Sequence, residues 1–318
     1  MALLATVVAG TVYAWRHWGT WALARVDTRL AINQIQVTPQ PPWLLADVKS
    51  EVFRDGSLGE LTLLDRFLTY KVSHAFEVHA WVAKVDPFLM KRPSQFRTDG
   101  PFDLDSRAYA REYKEVKDFG GNGTTTPTLR TPEQTATAMF FTANPVEMYN
   151  RTFRTIAQDR ELSLVEQARL FASLNLAGAD AAIGCWDDKA HWSFWRPITA
   201  IQQGDNDGNR RTEGDPTWNS LVPSPPYPDH PSGYNCATGS FMHTAKSFFG
   251  RDRVSFSLVG PGATGATRNY QRFTDVIDDT IDARIWLGIH FRAPDVQGAE
   301  LGEDVARWLN KHFLEPRR

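Results

Sequence analysis

Apolar residues recur at helical spacing over Leu162 to Ile183, Cys236 to Phe249, Thr267 to Leu287 and Gly298 to Phe313, and each stretch predicts a helix. Ahead of them, Thr131-Pro-Glu-Gln134 fits a capping box with proline at the first helical position, so a helix is predicted to start there. Gly120 to Thr128, rich in Gly and Thr, reads as a surface loop. A long Gly/Pro/Asn-rich connection runs from Gly204 to Pro231. Convincing strand alternation is absent from this half, so residues 86–318 are read as mainly α, a helical bundle.

The first 85 residues follow a different pattern. Met1 to Trp15 is apolar and uncharged, Arg16 and His17 interrupt it, and Trp18 to Leu23 is apolar again. The run lacks a basic n-region and is shorter than the ~20 residues of a spanning helix. A clipped membrane anchor, an interfacial helix and a buried helix all fit, and the anchor is favoured. It would place the rest of the chain in the cell envelope or outside the cytoplasm. Ile35-Gln-Val37 before Pro39, Pro41 and Pro42 reads as a short strand, and Trp43 to Phe53 and Leu64 to Val82 have helical spacing. Residues 1–85 are therefore read as an apolar segment plus a small α/β unit. In its order of elements this unit resembles the anchor and extracytoplasmic domain of FtsQ-type cell-division proteins.

Composition narrows the classes. With 42% apolar residues, 11 Trp and 19 Phe, the 318-residue chain can fill a sizeable core. Its net charge is −2 with acid and base interspersed and no basic stripe, which argues against a nucleic-acid partner. Any anion site must be a local cluster of cations. Two cysteines, Cys185 and Cys236, exclude a disulfide-stapled scaffold and any Cys metal motif. Whether they pair with each other is open.

Three segments place donors where an oxyanion would want them. Lys189 and Arg196 are seven residues apart, close to two helical turns, so both can project from one face among Trp192, Phe194 and Trp195. Burying two such cations is costly without an anion, although an exposed pair over packed apolar neighbours is also compatible. Ser232-Gly233 precedes a predicted helix, where free N–H groups and a hydroxyl suit either an anion or an ordinary N-cap. Arg284 and His290 flank Gly288, a natural helix end that would let His290 fold back beside Arg284. Asp295 could then hold the second imidazole nitrogen. A metal site from His191, His230 and Asp229 has no recognisable ligand spacing.

Together, and in order, the three segments resemble the signature of the type 2 phosphatidic acid phosphatase and vanadium haloperoxidase superfamily: K-x6-R-P, P-S-G-H and S-R-x5-H. The resemblance covers about 86–314. Asp187-Asp188-Lys189 through Trp195-Arg196-Pro197-Ile198, and Pro225 to Pro231, look more like its haloperoxidase branch. It implies a helical bundle of the acid phosphatase/vanadium haloperoxidase type. It also implies an oxyanion pocket of Lys189, Arg196, Ser232, Gly233, Arg284 and His290. In the haloperoxidases vanadate is the cofactor, held by the histidine, and hydrogen peroxide oxidises halide there. In the phosphatases no cofactor is used, and the histidine attacks the phosphorus of a phosphate ester.

Three positions depart from the signature. Tyr234 stands where the family has its acid–base histidine, and a phenol with a reference pKa of about 10 is a poor proton shuttle near neutrality. His230 and His191 are available as substitutes. Ala283 replaces the serine before Arg284. Asp295 lies one residue later than the family's partner of the histidine. The expected function is a haloperoxidase-like enzyme acting on a small molecule with peroxide and halide. The alternatives are a phosphomonoesterase with His290 as nucleophile, and a relative that binds phosphate without turning it over.

Overall fold

A computed structural model describes residues 85–225, 227–260 and 266–314. The anchor and the α/β unit expected in 1–85 lie outside these residues, apart from Val85 itself. Eight helices and one hairpin make up the described part: α1 (Arg107–Phe119), α2 (Pro132–Phe140), α3 (Pro145–Asp159), α4 (Leu164–Trp192), α5 (Pro197–Gln202), α6 (Gly233–Phe248), β1 (Arg253–Val259), β2 (Thr267–Arg272), α7 (Asp275–Trp286) and α8 (Arg292–His312). This is the mainly helical fold expected. No helix among the described residues is long and apolar enough to cross a membrane.

Local signals set the helix starts. Thr131 and Gln134 form the expected capping box with Pro132 at the first turn of α2. Ser163 and Glu166 form a second box at α4, and Asn144 caps α3 ahead of Pro145. Helix α4 runs nine residues past the predicted Ile183 and ends at Trp192, where Ser193 takes a left-handed conformation with φ 46°.

Helix α6 lies at the centre and is buried without interruption from Asn235 to Met242. It packs against α4 and α8, with Ala181, Cys185, Cys236, Leu301 and Val305 in one apolar cluster. Both cysteines are buried and free. The α6–α8 seam depends on missing side chains: a Cβ at Gly239 would come 2.2 Å from Ala299 O, and one at Gly298 would come 2.7 Å from Ser232 O. This close approach brings the start of α8 against the start of α6, where Ser232 N donates to Pro294 O at 2.8 Å. A larger core of Tyr109, Tyr149, Phe153, Phe241 and Phe273 lies toward α1, α3 and the hairpin.

The hairpin corrects the expectation of helix from Thr267 onward. Strands β1 and β2 pair antiparallel with Phe256 opposite Tyr270. In Arg253–Val259 exposed and buried residues alternate strictly, with Val254, Phe256 and Leu258 inward. That period-2 pattern is legible in R-V-S-F-S-L-V. In β2 only Tyr270 is buried, so the polar strand gave no periodic signal of its own.

Candidate functional site

The three segments meet where α4, α5, α6, α7 and α8 converge, but each residue arrives differently from the sequence expectation. Lys189 and Arg196 do not share a helix face. Lys189 is in the last turn of α4, whereas Arg196 lies beyond the Ser193 break as the N-cap of α5. The Lys189 side chain is fully buried. Its Nζ donates to the carbonyls of Pro228 and Asp229, each at 2.9 Å, and to that of Pro231. An ammonium has three hydrogens, so no Lys189 donor is left for an anion. Burial pulls Lys189 down to about 8.

Arg196 is also buried, 5% exposed. Its Nε donates to Tyr227 O at 2.8 Å, and its Nη1 reaches Ile289 O at 2.7 Å and His290 Nε2 at 3.0 Å. The guanidinium also lies 4.8 Å from the centre of the Tyr227 ring. Arg196 Nη2 is buried and bonds nothing.

Arg284 is in the last turn of α7. Its Nη1 donates to Phe141 O at 3.2 Å, while its Nε has no hydrogen bond. Burial lowers it, and Asp295 opposes that. Gly288 follows with φ 76° and a backbone approach that puts a hypothetical Cβ 2.4 Å from Gly120 O. This turn returns the chain so that His290 stands beside Arg196, whereas the sequence reading placed it beside Arg284.

The expected partnership of His290 with Asp295 is overturned. His290 Nδ1 is in close contact with Asp229 Oδ1, and neither atom has a well-formed hydrogen bond to any group. Asp229 Oδ2 accepts from Phe291 N at 3.2 Å. Asp295, in the first turn of α8, instead accepts from Asn235 Nδ2 at 2.8 Å and lies against Ser232. The physical reason is register: a shift of one residue on a helix turns a side chain by about 100°. Burial pushes Asp229 up to about 6 against the pull of Arg196 and Lys189. Burial likewise raises Asp295 well above the ordinary carboxylate range. Burial, reinforced by Arg196, Lys189 and Arg284, holds His290 well below the imidazole range, hence neutral.

Ser232 is the N-cap of α6, but its hydroxyl does not bond the helix. Its Oγ is buried near Asp295 without a well-formed hydrogen bond. Gly233 also makes room for the Trp186 ring, which a Cβ there would approach to 2.8 Å and displace. Tyr234 lies under Arg284, with 4.7 Å between guanidinium and ring centre. Burial drives its phenol above the ordinary range.

His230, named in the sequence reading as a candidate acid–base group, is tied into a hydrogen-bonded chain with Thr98 and Asp188. Thr98 Oγ1 donates its one proton to Asp188 Oδ2 at 2.6 Å, so His230 Nε2 must donate to Thr98 Oγ1 across 2.9 Å. Burial and Lys189 push the imidazole down to about 3. His191 is exposed at the end of α4. Among the described residues no group of His, Cys, Asp and Glu could hold a metal ion, which disposes of the His191, His230 and Asp229 reading.

Three cations against two carboxyls leave excess positive charge around His290. Arg196 Nη2, Arg284 Nε and Ser232 Oγ are buried polar atoms without a hydrogen bond, and such atoms are costly without a partner. The donor set therefore fits a small oxyanion such as vanadate or phosphate. Sequence reasoning missed Asp229 as a partner of His290. Its position beside Pro-Ser-Gly was the available signal.

Comparison with known proteins bears on the family and fold of the helical part. Residues 169–317 match the family of the VCPO second helical-bundle domain. Vanadium chloroperoxidase of Curvularia inaequalis is 28% identical over 200 residues, which are 51% of this chain and 32% of that protein. A bacterial vanadium-dependent iodoperoxidase superposes with a TM-score of 0.61 at 25% identity, over 72% of this chain and 56% of the other. A bacterial vanadium-dependent chloroperoxidase in its apo form gives 0.60 at 20% identity, over 72% and 54%, a likeness of fold. The chain thus spans about a third of the curated relative and about half of the solved ones. Residues 169–317 are thus similar to the VCPO second helical-bundle domain, and the helical part has a vanadium haloperoxidase-like fold.

Proposed function

We propose that this site binds a tetrahedral oxyanion, with vanadate as the cofactor of a haloperoxidase-like reaction. One observation carries the reading: the unpaired donors of Arg196, Arg284 and Ser232 lie in a buried cluster of excess positive charge beside a neutral imidazole. Arg196 and Arg284 would neutralise the anion's oxygens, Ser232 would donate a hydroxyl, and His290 would offer a nitrogen lone pair. Lys189 would add its charge without a hydrogen bond, because its hydrogens go to the 228–231 loop. Bound vanadate would supply activation of hydrogen peroxide toward halide oxidation. His290 Nε2 here accepts from Arg196 Nη1, so the imidazole would offer that lone pair to the anion in exchange for this hydrogen bond.

A second reading, binding without turnover, is favoured by the proton inventory. The Tyr234 phenol is raised by burial and His230 is a neutral donor to Thr98, so neither is a ready acid–base group near neutrality.

Calorimetric titration with orthovanadate, on the wild type and on His290→Ala and Arg284→Ala, tests the site. Binding lost in both variants, with bromide oxidation by peroxide in the wild type, supports the enzyme. Binding without oxidation and without phosphate-ester hydrolysis supports the second reading. A folded wild type that binds no vanadate removes both.

A further inference from the structure

We propose that Asp229 is the positioning residue of His290, facing Nδ1 and leaving Nε2 as the unprotonated nitrogen, the role that the sequence reading gave to Asp295. The inference deepens the oxyanion reading, and the reactive nitrogen it specifies matters for function only if that reading holds.

The argument is an account of protons. An arginine N–H can only donate, so the 3.0 Å contact from Arg196 Nη1 makes His290 Nε2 an acceptor. A neutral imidazole with an acceptor at Nε2 carries its one proton on Nδ1. The atom against Nδ1 is Asp229 Oδ1, a carboxylate oxygen that accepts. Both neighbours therefore select the same tautomer.

Asp229 is built into its place from every side. Its N–H donates to Phe194 O at 2.8 Å. Its carbonyl takes a Lys189 hydrogen at 2.9 Å. Its Oδ2 accepts the Phe291 N–H, next in sequence to His290. Only Oδ1 remains, and it faces the imidazole, with Arg196 Nη1 at 3.5 Å on its flank. The residue is fully buried, so water does not compete for that oxygen.

Asp295 is committed elsewhere. Its Oδ1 takes Asn235 Nδ2, and Asn235 Oδ1 takes the Thr280 hydroxyl at 2.7 Å. This chain of polar groups ties α8 to α6 and α7 and sets a carboxyl beside Arg284. Asp295 thus supports the cationic wall and has no contact with the imidazole.

Nitrogen-15 NMR of histidine-labelled protein reads the tautomer directly, with His290→Gln assigning the signal. The wild type is expected to show a protonated Nδ1 and an unprotonated Nε2. An Nε2-protonated ring overturns the proposal, whether or not any variant folds. Asp229→Asn is expected to mix the tautomers and weaken vanadate binding about 10- to 100-fold, the usual cost of losing such a partner. Asp295→Asn is expected to leave the tautomer unchanged. A pure Nδ1–H tautomer in Asp229→Asn, or a mixed one in Asp295→Asn, also overturns it. The same samples titrated with orthovanadate separate the two questions: the expected tautomer with no vanadate binding retires the oxyanion reading and leaves the Asp229 pairing standing.

Discussion

The guanidinium of Arg284 rests over the ring of Tyr234, 4.7 Å from its centre. Tyr234, at the position of the signature histidine, therefore forms an aromatic floor under Arg284, a cation of the proposed anion site. Tyr234→Leu removes that floor and is expected to weaken orthovanadate about fivefold, from about 1 kcal/mol of cation–π attraction. Unchanged calorimetric affinity would refute the role.

Tyr234→His tests the missing proton transfer. General acid–base groups contribute about 10²- to 10⁴-fold, so the variant is expected to raise bromide oxidation at least tenfold over the wild type. A variant that binds vanadate and gains no rate would put the limit on turnover somewhere other than the proton.

Lys189 holds the 228–231 loop through three carbonyls. Lys189→Met leaves the Pro228 and Asp229 carbonyls without this donor and Pro231 O with only the weak Cys185 Sγ contact, and about 3 kcal/mol of stability should be lost. Urea denaturation measures it, and a loss below about 1 kcal/mol would mean that the loop is held by other contacts.

Glu112 links acidity to folding. Burial, helped by Asp229 and Glu115, pushes its carboxyl up to about 7 from an ordinary 4.5, although it accepts from Ala293 N at 2.8 Å. Between those values the folded chain keeps a proton that the unfolded chain has released. Stability therefore falls as pH rises from about 4.5 to 7 and levels off above. Glu112→Gln keeps the acceptor for Ala293 and removes the effect. It should be about 1–2 kcal/mol more stable than wild type at pH 8 and equal to it at pH 4. A difference that does not change with pH would count against Glu112 as the source.

Gly298 lets α8 lie against Ser232. Gly298→Ala places a methyl 2.7 Å from Ser232 O, so it should cost about 1–3 kcal/mol and weaken vanadate binding as well. Reduced stability with full affinity would show that the seam relaxes without moving the site.

Much of this was readable in the chain because the signals are local. The capping box at Thr131 and Gln134 and the turn at Gly288 are decided by residues a few positions apart. The long-range relations were not readable. Whether Asp229 or Asp295 meets His290 depends on the rotation of α8 and on a loop pinned by Lys189, and spacing alone encodes neither. Lys189 and Arg196 matched helical spacing, yet Ser193 in the left-handed region ends α4 between them. The hairpin went unrecognised because β2 buries one residue and shows no alternation, although β1 carried the pattern openly.

The cage around Lys189 bears on how the pocket tells one anion from another. Its hydrogens point at backbone oxygens, so its influence on a ligand is a fixed potential, equal for any ion of the same charge and position. Discrimination by shape falls to Arg196, Arg284 and Ser232, whose open donors have defined directions. In the proposed site, sulfate, phosphate and vanadate would thus be ranked by how their oxygens meet two guanidinium edges and one hydroxyl, while Lys189 would set how strongly all of them are drawn in.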